Sequence, residues 1–84
     1  MSNLYKNITS AATYAIATGP TVLHSVVVNT TAAGTAIIKD GGVAVATLQA
    51  SVLPGTFLYD IAIKGALSVV TAAASDLTVC YRPN

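Results

Sequence analysis

The chain has 84 residues, 54% of them apolar and only 8% charged, with four basic and three acidic side chains and a formal net charge of +1. Disorder needs low hydrophobicity and high net charge, so it is excluded. A transmembrane helix is excluded as well, because the apolar runs, such as Tyr14 to Ala17 and Val43 to Ala46, fall far short of the roughly 20 residues a span requires.

Along the chain the apolar rhythm has period two, punctuated by Gly, Pro, Asn and Asp, which is the signature of short strands. The predicted strands run Leu4 to Thr9, Thr13 to Ala17, Val22 to Asn29 and Thr35 to Lys39, then Val43 to Leu48, Phe57 to Lys64, Leu67 to Thr71 and Asp76 to Arg82. In the sixth, Phe57, Tyr59, Ile61 and Ile63 share one face, and Leu58, Asp60, Ala62 and Lys64 share the other. The eighth repeats the pattern, with Leu77, Val79 and Tyr81 inward and Asp76, Thr78, Cys80 and Arg82 outward. Asp40-Gly41-Gly42 between two β-rich runs predicts a tight hairpin, because glycine reaches positive φ without steric cost. Alanine is common, yet no segment sustains an i, i+3, i+4, i+7 stripe, so a helical reading fails. The expected fold is all-β: one domain over residues 1–84, a small antiparallel β-sandwich of about eight short strands, of jelly-roll or Greek-key type.

Charge then bears on how such a sandwich lives. A folded monomer of this mass should expose roughly 4,700 Å². Seven charges leave that surface about threefold poorer than the roughly 25% charged residues of ordinary domains. No formal charge falls between Asn7 and Ile38. Much of the outside is therefore expected to be covered by other protein, with the uncharged stretch from Asn7 to Ile38 as the buried contact surface. A chain this short, with a single cysteine and hence no internal disulfide, is also short of core, and oligomerisation is the usual remedy.

The chemistry-bearing residues offer little to a reaction. His24 is the one histidine; it alternates with Val22, Val26 and Val28 and reads as a packed or interface residue. Adjacent strand residues point to opposite faces, so His24 and Ser25 form no catalytic pair. No metal, cofactor or enzymatic activity is expected, since His24, Cys80 and three scattered aspartates lack ligand spacing and no glutamate is present to form a tuned carboxylate pair. Asp60 sits mid-strand and outward, where it either faces solvent or pairs with Lys64 or Arg82 across a subunit contact. Tyr5, Tyr14, Tyr59 and Tyr81 read as core or interface anchors. Nucleic acid is not an expected partner, for there is no basic stripe and no aromatic platform. The amino terminus, Met1 to Lys6, lacks the apolar stretch of a secretory signal. It reads as an arm that docks by strand addition.

Four runs carry a resemblance: Leu23 to Asn29, Leu58 to Ile63, Gly65 to Thr71 and Asp76 to Arg82. Together they resemble small all-β virion accessory proteins of tailed bacteriophages, of capsid-decoration, cement or head-fibre type. The resemblance implies a subunit made in the host cytoplasm and located on the virion capsid surface. Its implied partners are itself, as a homotrimer by analogy with shell symmetry, and the major capsid protein, with no membrane and no nucleic acid. A tail or fibre module, or a phage protein that binds a host protein, is the alternative. The expected interface residues are Leu4, Tyr5, Tyr14, His24, Asp60 and Arg82.

Overall fold

The computed structural model describes residues 4–30, 34–74 and 76–83. Eight strands occur within one or two residues of the expected bounds: β1 (Leu4–Ile8), β2 (Thr13–Thr18), β3 (Thr21–Thr30), β4 (Ala36–Asp40), β5 (Val43–Leu48), β6 (Gly55–Ile63), β7 (Ala66–Thr71) and β8 (Asp76–Pro83). They form two four-stranded antiparallel sheets, β1-β8-β3-β6 and β2-β7-β4-β5. Among the described residues there is no helix long and apolar enough to cross a membrane.

The pairings nest about one hairpin. β4 pairs with β5, β3 with β6, β2 with β7 and β1 with β8. Such nesting is what results when a long antiparallel ribbon, folded at the β4–β5 turn, wraps so that alternate strand pairs fall in opposite sheets; it is the jelly-roll arrangement. The turn at the centre is the expected one. Asp40 pairs with Val43, and Gly41 and Gly42 lie at φ of 58° and 92°. Positive φ at both central positions is the condition for the type I′ turn that matches strand twist.

Crossing from one sheet to the other takes short loops, and these are tied together. Gly19, between β2 and β3, donates its amide to the carbonyl of Gly65, between β6 and β7. The Asp40 carboxylate reaches across to the same place, accepting the amides of Lys64 at 3.0 Å, Gly65 at 2.9 Å and Ala66 at 3.4 Å. Those bonds, led by the one from Lys64, hold its carboxyl below the ordinary value of 3.8.

The core lies between the sheets. Ile8, Leu23, Val26, Val28, Ile63, Leu77 and Val79 enter it from the first sheet, and Ala36, Ile38, Leu48, Leu67 and Val69 from the second. All are aliphatic; Tyr14, Phe57, Tyr59 and Tyr81 only rim them. Full burial of each Leu, Ile or Val contributes about 1.5–3 kcal/mol. The chain exposes 4414 Å², in line with an independently folded domain of its mass.

Candidate interaction surfaces

The strand register of the first sheet shifts at His24 and again at Asn29, and two expected site residues meet at the first of these. On β3, Leu23 and Ser25 pair with Tyr81 and Cys80 of β8, which are consecutive, so His24 is an extra residue in that ladder. Against β6, Leu23 pairs with Ile61 and Ser25 with Leu58, which leaves Tyr59 and Asp60 opposite the single His24. Both irregularities are β-bulges, and a bulge re-aims side chains. Asp60 adopts a φ of 51°, a left-handed conformation uncommon outside glycine but most accessible to Asn and Asp. The geometry brings His24 Nδ1 to 2.8 Å from Asp60 Oδ1 on the outer face.

One expectation is corrected by this bulge. His24 does not share a face with Val26 and Val28, because the inserted residue resets the alternation; Val26 and Val28 are core residues, while the His24 side chain is 33% exposed. Asp60 sits on an edge strand, and within the chain its side-chain partner is His24. Among the described residues no Lys or Arg nitrogen lies within ion-pair distance of a carboxylate.

The outer face of the β1-β8-β3-β6 sheet also collects Tyr5 and Arg82. Register places Tyr5 beside Cys80, Cys80 beside Ser25 and Ser25 beside Leu58, so one row crosses all four strands. Its ends are large and exposed, Tyr5 by 73% and Leu58 by 70%, and its middle is small, with Ser25 buried. The next row toward the carboxyl end of β8 joins Arg82, Val22 and Ala62. The row on the other side holds Asn7, Thr78, Val27 and Thr56. Here Asn7 and Asn29 donate to Asp76 Oδ1 at 3.0 and 3.1 Å, a hydrogen-bonded seam across β1, β8 and β3. Leu58 was not among the expected interface residues, although a leucine alternating with Asp60 and Ala62 on the polar face of a strand is itself the signal.

Leu4, Lys6 and the arm take a different form. Leu4, Tyr5 and Lys6 pair with Tyr81, Cys80 and Val79 as the first part of β1, so they belong to the sheet; residues 1–3 of the expected arm lie outside the described residues. Lys6 shares the core-facing side of β1 with Ile8 yet remains exposed, and an inward-pointing charge on an edge strand discourages edge-to-edge pairing. Tyr14 is held within the chain. Its ring packs on the core, and its hydroxyl donates to the Ser10 carbonyl at 3.0 Å while accepting the Ser10 amide at 3.2 Å.

A second exposed apolar region follows the open side of the sandwich between the edge strands β5 and β6. Val43, Val45 and Leu53 are exposed there, and Leu48, Val52, Leu53, Phe57 and Tyr59 line a pocket of about 490 Å³. Burial pushes the Tyr59 phenol above its ordinary value of 10.0. The stretch from Asn7 to Ile38 is therefore not the main apolar surface. Among the described residues its exposed positions are Ser, Thr, Ala, Asn and Pro, whereas the exposed large apolar side chains, Leu4, Tyr5, Val43, Val45, Leu53 and Leu58, all lie outside it. The stretch lacks charge because it supplies the central strand β3 and small hydroxyl-bearing surface. Among the described residues no group of three or more His, Cys, Asp or Glu side chains converges as a metal site.

No protein-family model and no curated protein sequence matches the chain. Among solved structures it is similar to the Drosophila NLP core, with a TM-score of 0.57 at 10% identity over 98% of this chain and 97% of that one. That crystal structure is described as giving insight into pentamer formation and histone binding. A protein of Bacillus endospore appendages, a family of disulfide-linked pili, is similar with a TM-score of 0.48 at 21% identity, covering 99% of this chain and 87% of that one. The first likeness agrees with the β-sandwich read from the strand pairings.

Proposed function

We propose that the chain is a structural subunit that self-associates and, in the setting its sequence resembles, decorates or cements a bacteriophage capsid by binding the major capsid protein. The observation that carries the reading is the pairing of scarce charge with large apolar side chains left outside: Tyr5, Leu53 and Leu58 are each at least 70% exposed. A small soluble domain with so few charges does not leave such side chains in water without reason. They lie on more than one side of the sandwich, the outer sheet face and the β5–β6 opening, which suits a subunit that touches both its own kind and another protein. The Drosophila neighbour is described in terms of pentamer formation, a context compatible with assembly.

Binding the assembled shell but not its dissociated parts stabilises the shell by mass action, about 2.7 kcal/mol per site at 100 times Kd. The pentamer-forming neighbour's histone binding does not transfer, since four basic and three acidic side chains make no strongly acidic or basic surface here. Electron microscopy of the parent particle tests the reading: density for this domain on the capsid lattice is expected. Density confined to the tail favours the fibre module, and its absence from the particle overturns the reading.

A further inference from the structure

We propose that the outer face of the β1-β8-β3-β6 sheet is the self-association surface, and that its occupant is a second copy of the chain. The two copies are related by a two-fold axis that runs across the strands, between the stacked sheets, at the level of Val79. This rests on the self-associating reading above and specifies its contact.

The argument starts from the charges on that face. His24 and Asp60 are hydrogen-bonded to one another within the chain. Asp76 and Arg82 stand at opposite ends of β8 on the same outward face, and among the described residues neither has an oppositely charged partner. Six residues of strand separate them by about 20 Å, too far for any contact within one molecule. A two-fold axis across the strands lays β8 of one copy antiparallel over β8 of the other, so that Arg82 of each faces Asp76 of the partner copy. A two-fold axis along the strands would instead set Arg82 against Arg82 and Asp76 against Asp76. Charge complementarity therefore selects one of the two ways to stack the face on itself.

Shape follows the same axis. The row bearing the two knobs, Tyr5 and Leu58, lies one residue from the level of Val79 on one side, and the row of Asn7, Thr78, Val27 and Thr56 lies one residue away on the other. Reversal of strand direction places each copy's knobs over the partner's lower row. Like side chains then sit beside each other, about two strand residues apart, instead of colliding. A two-fold contact closes at two copies, so a dimer, not the trimer suggested by shell symmetry, is the species expected in solution.

Sedimentation of the wild type and three variants tests this. Wild type is expected to dimerise. Arg82→Glu and Asp76→Lys should each weaken dimerisation about tenfold or more, since each turns two attractive contacts into repulsive ones. Mixing the two variants should restore a heterodimer near wild-type affinity. In that mixture the reversed charge on one copy faces the reversed charge on the other, and the unaltered Asp76 of the first still faces the unaltered Arg82 of the second. Leu58→Asp changes a side chain 70% exposed in the single chain, so folding is unaffected while dimerisation is lost. An oligomer indifferent to Leu58→Asp and Arg82→Glu, a mixture no tighter than its components, or a trimer overturns the surface while leaving self-association standing. A monomeric wild type overturns both.

Discussion

His24 and Asp60, 36 positions apart in sequence, meet at 2.8 Å because each occupies a bulge in neighbouring strands, and Asp60 holds a left-handed backbone, φ 51°, to do so. The left-handed region costs β-branched residues about 1–2 kcal/mol, and the half-exposed His24–Asp60 hydrogen bond adds at most about 1 kcal/mol. Asp60→Val is therefore expected to lower stability by about 1–3 kcal/mol in urea denaturation. Asp60→Asn, which tolerates the same backbone and keeps a hydrogen-bond acceptor, should cost under about 1 kcal/mol. Equal losses from the two would show that backbone strain is not what distinguishes this position.

Asp40 predicts an acid limb. Its carboxyl titrates below 3.8 because the Lys64, Gly65 and Ala66 amides bind the charged form. A folded-state value below the unfolded one means that this stabilisation is fully present above the unfolded value and is lost as pH falls through the folded one. Asp40→Asn should lower thermal stability at neutral pH and flatten the decline below about pH 4. An unchanged slope there would contradict the capping role.

Gly34 is needed for space, not for φ. A Cβ at this position would stand 2.8 Å from the Ala73 amide nitrogen and 2.9 Å from the Ala73 Cβ. Gly34→Ala must push the β7–β8 connection away and is expected to destabilise by about 1–3 kcal/mol, measured as a lower midpoint in denaturant. A neutral outcome would mean that the two segments separate freely.

In the core, Leu67 is fully buried on β7, a central strand of the second sheet. Leu67→Ala should cost about 2–5 kcal/mol, with a correspondingly lower Tm by calorimetry. Loss of under about 1 kcal/mol would place Leu67 outside the cooperative core.

Much of this architecture is legible along the chain because its determinants are local. Asp40-Gly41-Gly42 announces its turn through backbone sterics, and Phe57 to Ile63 and Leu77 to Tyr81 show which side faces inward. The strand order is a different matter, since β1 meets β8 across almost the whole chain and nothing local encodes that partner. The bulges are hidden for a related reason. In Val22-Leu23-His24-Ser25-Val26 the apolar residues fit either phase of the alternation, so a one-residue slip leaves the pattern intact while moving Val26 and Val28 from one face to the other. Of the expected interface set, Tyr5, His24, Asp60 and Arg82 share the outer face of one sheet, Tyr14 is tied back to Ser10, and Leu4 lies along the β1 edge. Leu53 went unexpected because it lies in the connection between β5 and β6, where no strand rhythm applies, whereas Leu58 was signalled by its place beside Asp60 and Ala62 on the polar face of β6.

Light scattering on the purified wild-type chain at tens of micromolar tests the central claim most directly. Self-association gives a mass at least twice the 8.5 kDa of one chain, falling toward it on dilution. A stable mass of one chain across that range, with Tyr5, Leu53 and Leu58 left in water, would contradict the account.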